Sequence, residues 1–168
     1  MKIRDAVIED APHLVNLIKE VEESNFMLFG PGERQTTAEQ LLHRIESMTQ
    51  DETSTIIVGE ADDRTLAGYL MAIGGNPTRA RHKVYLVVGV SGKFRGKGVG
   101  TQLFLRLEEW SRTKNIHRLE LTVLTHNERA ISLYKKMGFE IEGTKRDSLF
   151  IDGIYRDEYY MSKLIRDY

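Results

Sequence analysis

The sequence predicts an α+β fold with a mixed sheet, in one domain that spans residues 1–168. Hydrophobic periodicity gives the element order β-α-α-β-β-β-α-β-α-β-β, in which strands cluster near both ends of the chain and helices lie between them. A chain of 168 residues suits one domain, and 40% hydrophobic with 29% charged residues is ordinary for a globular protein. Together these observations favour a mixed sheet over the regularly alternating, doubly wound type.

The first half of the chain is predicted to contain three strands and two helices. Apolar residues recur at helical spacing in the first helix, and Thr37 can open the second. Between the two helices, Gly30-Pro31-Gly32 indicates a loop over residues 24–37. The predicted elements are a strand at 2–4, a helix at 10–21, a helix from Thr37 through Met48, and strands at 54–61 and 65–73.

The second half begins with an apolar, largely β-branched run, which is expected of a strand covered on both faces. Later segments show helical or alternating periodicity, Gly138 suits the end of a helix, and residues 151–153 suit a hairpin turn. The predicted elements are a strand at 84–90, a helix at 98–114, a strand at 118–125, a helix at 127–137, and strands at 139–145 and 155–164.

Composition excludes several classes of site. The chain has no cysteine, which rules out disulfides, thiolate zinc sites and a cysteine nucleophile. The five histidines lack metal-ligand spacing, so no metal is expected. No apolar run approaches the roughly 18 residues that cross a bilayer, and the N-terminus lacks the features of a signal peptide. We therefore expect a soluble, cytoplasmic protein without a membrane partner.

Charge is unevenly distributed along a chain whose formal net charge is −1. The segment from Arg64 to Leu107 contains eight Lys or Arg residues and no Asp or Glu. Such a segment attracts an anion while the whole molecule stays near neutral, although a solvated basic face is the alternative. Nucleic-acid binding is not expected, because the pI is about 6.5 and no nucleic-acid motif is present.

Residues 88–100 lead from the apolar strand into a predicted helix and contain five glycines. The first amides of a helix have no partner within it, and the helix dipole adds positive potential there. Glycines also let a ligand oxygen approach the backbone closely. The segment therefore predicts an anion site, most naturally for phosphate, with a ligand-free glycine-rich turn as the alternative.

Two common phosphate-binding motifs do not fit this segment. A P-loop requires Ser or Thr after its Gly-Lys pair, whereas Gly98 follows Gly96-Lys97. A dinucleotide fingerprint requires Gly-x-Gly-x-x-Gly, and after Gly96 and Gly98 no glycine in register follows.

Two motifs, in order and at the expected spacing, resemble the GCN5-related N-acetyltransferases (GNAT). Arg95-Gly96-Lys97-Gly98-Val99-Gly100 fits that family's Arg/Gln-x-x-Gly-x-Gly/Ala pattern. Residues 127–139 match Asn-x-x-Ala-x-x-Leu-Tyr-x-x-x-Gly-Phe, and the start Ile3-Arg4-x-Ala6 is also similar. The resemblance implies a central, mixed, mostly antiparallel sheet of about seven strands, splayed between strands 4 and 5, with helices on both faces.

The resemblance also implies that the chain binds acetyl-CoA. The pantetheine arm would pair with a strand, the amides at the helix start would hold the pyrophosphate, and Asn127 would bond the arm. Asn127 also suits the N-cap of its own helix. The implied cofactor-binding residues are Val88, Gly89, Val90, Arg95, Gly96, Lys97, Gly98, Val99, Gly100, Thr101 and Asn127.

Tyr134 is the catalytic residue that the resemblance implies. Attack of an amine on a thioester expels a thiolate, which a phenol with a pKa near 10 can protonate. A core tyrosine packed beside Leu133 and Phe139 is the alternative. No base is assigned, because residues 83–90 lack the strand acid that some family members use. The residues left as candidates are Glu22, Glu23, His82, Glu120, Asp157 and Glu158.

The function that the resemblance implies is transfer of the acetyl group of acetyl-CoA to a primary amine. The acceptor would be a small molecule or a protein N-terminus, and the absence of cysteine favours direct transfer in a ternary complex over an acetyl-cysteine intermediate. A non-catalytic module that binds CoA or acetyl-CoA is the alternative. By analogy with the family, residues 25–35 and 152–160 border the acceptor site, with the candidate aromatics Phe26, Phe29, Tyr155, Tyr159 and Tyr160. Packing of these aromatics in the core or in a homodimer interface is equally open.

Overall fold

The computed structural model describes residues 1–166, within which the chain forms seven β-strands and four α-helices in the predicted order. Residues 167 and 168 of the predicted domain lie outside the described part. The strands β1 to β7 are Lys2–Asp5, Thr55–Glu60, Leu66–Gly74, Lys83–Val90, Arg118–Leu124, Glu140–Ile151 and Ile154–Leu164. The helices α1 to α4 are Ala11–Glu22, Ala38–Gln50, Val99–Thr113 and Glu128–Lys136.

The strands form one sheet in the order β1-β2-β3-β4-β5-β7-β6. Neighbouring strands are antiparallel except β4 and β5, which are parallel. Their pairing joins Lys83–Tyr85 to Arg118–Glu120 and goes no further along the described strands. The predicted mixed, mostly antiparallel sheet that splays between strands 4 and 5 is therefore confirmed.

Helices cover the two faces of the sheet to different extents. On the back face, α3 and α4 pack on a core that draws sheet residues from β2, β3, β4, β5 and β7. This core includes Leu103 and Leu107 of α3 with Leu121 and Met161 of the sheet. On the front face, the residues packed with α1 and α2 come from β2, β3 and β4. The front of β5, β7 and β6 therefore lies beside these two helices rather than beneath them.

Two sequence predictions about strands need correction. The strand predicted at 139–145 extends to Ile151 as β6, across an irregularity in which residues 146–148 lie opposite Asp157 of β7. Pairing with β7 maintains the strand through a polar stretch whose sequence does not suggest it. The apolar run of β4 is also not covered on both faces, because Tyr85 is 40% exposed where the front-face helices end.

The junction of β1 and α1 is held by a partly buried ion pair. The Asp10 carboxylate accepts hydrogen bonds from the Arg4 guanidinium at 2.7 and 2.9 Å and from the amide of Val7 at 2.8 Å. Arg4 also donates to Glu60 of β2, which ties the junction to the sheet. Burial by itself raises the pKa of Asp10, but the bonds from Arg4 and Val7 outweigh it and lower that pKa below its ordinary value.

We predict that Asp10→Asn lowers the free energy of unfolding at neutral pH by about 2–3 kcal/mol, because Arg4 and Val7 lose a charged acceptor. The Asp10 pKa is lower in the folded chain, so its contribution is present above the unfolded pKa of about 3.9 and is lost as the pH falls through the folded value. Urea unfolding at neutral and acid pH measures both effects, and the difference between the variant and the wild type should shrink in acid. Glu9→Gln, at the exposed neighbouring position, is the matched control, and an equal loss in that variant would contradict the assignment.

Candidate functional site

A cavity of about 1200 Å³ lies where β4 and β5 separate, and it is called the main cavity below. Its lining comes from the end of α1 and the loop after it, from β4 and β5, from the starts of α3 and α4, and from the hairpin of β6 and β7. Opening the sheet between two central strands connects its front and back faces. The main cavity therefore brings together segments that are far apart in sequence.

The edge of β4 forms one wall of the main cavity. Val88, Gly89 and Val90 pair with Leu70, Tyr69 and Gly68 of β3 on one side. On the other side they lie beyond the last pair with β5, and all three line the main cavity. A strand edge without a neighbouring strand can hydrogen-bond an extended ligand, as the sequence analysis expected for these residues.

The segment after β4 turns into α3 and presents the start of that helix to the main cavity. Gly98 precedes the helix with φ +80°, and its carbonyl accepts the bond from Gln102, so the amides of residues 99–101 precede the first bond within the helix. A Cβ on Gly98 would meet nothing within 4 Å, which leaves room for a ligand oxygen beside the backbone. Arg95, Gly96, Gly98, Val99, Gly100 and Thr101 line the main cavity.

Two predicted members of this segment contribute differently from the expectation. The Lys97 side chain is absent from the described lining of the main cavity, and its Nζ lies 5.4 Å from the ring centroid of Phe94. A Cβ on Gly100 would lie 2.7 Å from Cδ2 of Leu133, so this glycine lets α3 approach α4 closely. The packing of the two helices therefore accounts for Gly100 without any ligand.

Asn127 begins α4 and also lines the main cavity. Its Oδ1 accepts a hydrogen bond from the amide of Ala130 at 3.3 Å, which is the capping role expected for Asn at this position. Asn127 and the edge of β4 line the same cavity. The sequence allows Asn127 either role, and the geometry is compatible with both.

Tyr134 belongs to the core of the back face and to the lining of the main cavity at once. Its ring packs against Phe104 and Phe139, with centroids 5.7 and 6.1 Å away, and the residue is 9% exposed. Burial raises the pKa of Tyr134 to about 12, so the phenol stays protonated throughout the neutral range. Among residues 1–166, no protein group hydrogen-bonds the Tyr134 hydroxyl. This hydroxyl is not fully buried in the core, and the residue lines the main cavity. The hydroxyl is therefore free to donate to a ligand.

Polar and aromatic side chains of the sheet line the front side of the main cavity. Tyr85 and Thr122 join across β4 and β5 by a hydrogen bond of 2.9 Å between their hydroxyls. Tyr160 lies opposite Thr122 on β7 and lines the main cavity with them. Tyr85 was missed in the sequence analysis, although its place in an otherwise aliphatic strand is a signal that could have been used.

The loop over residues 23–37, which joins α1 to α2, covers the front side of the main cavity. Asn25 Nδ2 donates to the Asp152 carboxylate at the tip of the β6–β7 hairpin, at 2.9 Å. The ring of Phe26 lies 5.3 Å from that of His126, in the turn before α4. Contacts at two separate points therefore hold this loop across the β4–β5 opening, which no local sequence pattern indicates.

The five aromatic residues expected at the acceptor side divide into two groups. Phe26 and Tyr160 line the main cavity. Phe29 instead lies under the Arg34 guanidinium at 4.2 Å, Tyr155 is 64% exposed, and Tyr159 packs against the back-face core. Alternation along β7 explains the outcome, because Tyr159 and Tyr160 must point to opposite faces.

The candidate bases are also divided by their positions. Glu22 binds Arg34 at 2.8 Å and lines a separate cavity of about 270 Å³. Glu120 and Glu158 line the main cavity, whereas Glu23, His82 and Asp157 are not part of its described lining. Glu120 is neutralised by Arg118 at 2.7 Å and Lys83 at 3.6 Å, while Glu158 accepts a hydrogen bond of 2.5 Å from Ser148.

The described part of the chain has neither a metal-binding cluster nor a membrane-spanning helix. Within residues 1–166, no group of three or more His, Cys, Asp or Glu side chains is arranged to hold a metal ion. Across the same residues, the helices are too short or too polar for any of them to span a membrane.

Known proteins resemble this chain in sequence. Residues 16–139 match the Acetyltransferase (GNAT) family. The L-amino acid N-acetyltransferase AaaT of Escherichia coli is 34% identical over 106 residues, which are 61% of this chain and 64% of that protein. The ribosomal protein uS5-alanine N-acetyltransferase of E. coli is 38% identical over 77 residues, which are 45% of this chain and 40% of that protein. The chain thus aligns with less than two thirds of the length of either relative.

Solved structures resemble it along nearly its whole length. A GNAT-family acetyltransferase from Streptococcus pneumoniae has a TM-score of 0.93 at 28% identity, covering 98% of this chain and 99% of that one. An acetyltransferase from Salmonella typhimurium, solved with acetyl-CoA, has a TM-score of 0.89 at 19% identity, covering 99% and 95% of the two chains, and shows the fold alone. The family match over residues 16–139, together with this fold and both motifs, shows that the chain belongs to the GNAT acetyltransferase family.

Proposed function

We propose that this chain transfers the acetyl group of acetyl-CoA to a primary amine, directly and within a ternary complex. The observation that carries the proposal is the β4–β5 opening, where a free strand edge, a helix start and the Tyr134 hydroxyl share one cavity. That combination offers a place for an extended ligand, a phosphate group and a leaving thiolate. Membership of the GNAT family supports the same reaction.

Acetyl-CoA fits the residues present. The amides that begin α3, with the open space at Gly98 and the nearby Arg95, suit the pyrophosphate. The edge of β4 at Val88, Gly89 and Val90 suits the amide-bearing pantetheine arm, and Asn127 lines the same cavity. In this proposal Lys97 makes no direct contact with the cofactor, because it lies outside the described lining, its amide donates to the Phe94 carbonyl and its side chain turns to the Phe94 ring.

Acetyl-CoA supplies an activated acetyl group, so the reaction forms a carbon–nitrogen bond as the carbon–sulfur bond breaks. Tyr134 donates its phenolic proton to the departing sulfur and recovers a proton afterwards. Its raised pKa ensures that the proton is present at neutral pH. The acceptor nitrogen gives up a proton, and the products are an N-acetyl amide and CoA with a free thiol.

The class of acceptor is proposed from the relatives and from the shape of the site. The named activities of the two E. coli relatives concern L-amino acids and the alanine of ribosomal protein uS5. Both names describe acetylation at a nitrogen of an amino acid or of an amino-acid residue. The front side of the main cavity is covered by the loop over residues 23–37, and this covered space suits a small acceptor group. We extend the acceptor class of these relatives to the present chain.

The proposed function is tested by release of free thiol from acetyl-CoA in the presence of amino acids, polyamines and short peptides. We expect release above the no-amine background for one class, with formation of its N-acetyl product confirmed by mass spectrometry. Binding of acetyl-CoA without release for any amine would overturn the enzyme assignment and indicate a binding module instead.

Gly98→Ala is expected to weaken acetyl-CoA binding at least about 10-fold. The new Cβ would occupy the space beside the helix-start amides, and hydrogen bonds to a charged group contribute about 1.5–3 kcal/mol each. Gly153→Ala is the matched control, since Gly153 also has a positive φ of +78°, its Cβ also meets nothing within 4 Å and the residue lies outside the described lining. Calorimetric titration with acetyl-CoA measures both, and equal affinities of the two variants would contradict the assignment.

Tyr134→Phe is expected to reduce turnover about 100-fold while acetyl-CoA still binds, because the ring keeps its packing and only the proton donor is lost. The measurement is the rate of thiol release at saturating acetyl-CoA and amine. Tyr155→Phe, at an exposed tyrosine outside the main cavity, should retain the wild-type rate. Full activity in the Tyr134 variant would remove it as the acid.

A further inference from the structure

Glu158 is a buried carboxylate that faces the main cavity without a cation. It is 9% exposed and lines the front side of this space. Among residues 1–166, no Lys, Arg or His nitrogen lies within 4 Å of its carboxylate, and Ser148 is its hydrogen-bonding partner. A buried charge that lacks a counter-charge is costly, which makes this group a strong acceptor for a cationic ligand.

The irregularity of β6 determines which side chain lies beside Glu158. Residues 146–148 lie opposite Asp157 of β7, which is more backbone than a regular antiparallel pair accommodates. The Asp157 carboxylate accepts a hydrogen bond of 2.8 Å from the backbone amide of Asp147, which holds the distorted segment in place. Ser148 Oγ then donates to Glu158 Oε1 at 2.5 Å, which fixes one carboxylate oxygen and leaves the other available.

The other acidic residues of the main cavity are less suited to a cation. Glu120 is already paired with Arg118 and Lys83. Glu128 is exposed at the start of α4, where solvent screens its charge. Lys145 lies opposite Glu158 on β6 and also lines this space, but it is exposed and its amino group remains beyond salt-bridge distance. Glu158 is therefore the buried carboxylate available to a ligand.

The surroundings of Glu158 are mainly apolar and aromatic. Leu149 of β6, Tyr160 of β7, and Phe26 and Met27 of the loop over residues 23–37 line the same side of the main cavity. The bond between Asn25 and Asp152 holds that loop over them. A ligand at this position would meet the Glu158 carboxylate, several hydrophobic surfaces and the exposed Lys145 side chain of the neighbouring strand.

We propose that Glu158 binds the protonated amino group of the acceptor, and that the acceptor carries this group on an apolar body. The inference rests on the proposed function, since it assigns a role at the same site, but it can be tested by binding alone. The ammonium group would supply the counter-charge that Glu158 lacks, and Leu149, Phe26 and Tyr160 would contact the attached apolar group. Because an ammonium nitrogen has no lone pair, the bound group would release one proton to solvent before its nitrogen attacks the thioester. An acidic acceptor such as glutamate is disfavoured by the same charge.

The test measures binding of 2-phenylethylamine in the presence of CoA, with 2-phenylethanol as an uncharged probe of similar shape. Glu158→Gln keeps the size of the side chain and its acceptor for Ser148, and it should weaken amine binding at least about 10-fold, a loss of one charge-assisted contact. The alcohol should bind the wild type and this variant equally. Glu140→Gln, at an exposed position of the same hairpin, should leave amine affinity unchanged.

Ser148→Ala is a second variant, which keeps the Glu158 charge but removes the hydrogen bond that orients its carboxylate. We therefore expect a smaller loss of amine affinity than in the Glu158 variant. Unchanged amine affinity in the Glu158 variant, or equal weakening of the amine and the alcohol, would overturn the inference, as would failure of the wild type to bind the amine. Binding through Glu158 without thiol release from acetyl-CoA would instead count against the proposed function alone. Release with an unchanged amine KM in the Glu158 variant would count against the inference alone.

Discussion

The separation of β4 from β5 is the constraint on which the rest of the structure depends. The pair is parallel and joins only three residues of each strand before the strands diverge. Backbone groups without partners are costly when buried, so the divergence is stable only where solvent or a ligand can reach the freed edge. The open edge at residues 86–90 and the surrounding side chains therefore form one site rather than a defect in the sheet.

The unequal cover of the two sheet faces determines what each side of this opening can bind. On the back face, α3 and α4 supply a helix start and a buried tyrosine beside the freed edge. On the front face, α1 and α2 end at β4, which leaves the polar residues of β5 and β7 facing a cavity. The hydrogen bond from Asn25 to Asp152 then closes that side with a loop. In the proposed function, one opening would thus have a phosphate-binding end and an amine-accepting end.

Tyr134 illustrates how packing and chemistry coincide at this site. Its ring is fixed by Phe104 and Phe139, which limits its motion and directs the hydroxyl to the opening. The same burial raises its pKa to about 12, which favours the protonated phenol over the phenolate. The alternatives of a core tyrosine and an acid are therefore not exclusive, because the packing that makes Tyr134 a core residue would also position it as the proposed proton donor.

The sequence by itself determined the element order, the caps at Thr37 and Asn127, the turn before α3 and the splayed sheet of the family, because these depend on local patterns and two contiguous motifs. Only the tertiary structure decided the rest. The packing of Lys97 on Phe94, the contact of Gly100 with Leu133, the extension of β6 and the exposure of Glu158 to the main cavity depend on partners far along the chain. The irregularity of β6 shifts the strand register opposite Asp157 and brings Ser148 to Glu158. That register is fixed by the pairing of distant strands, and local periodicity does not encode it.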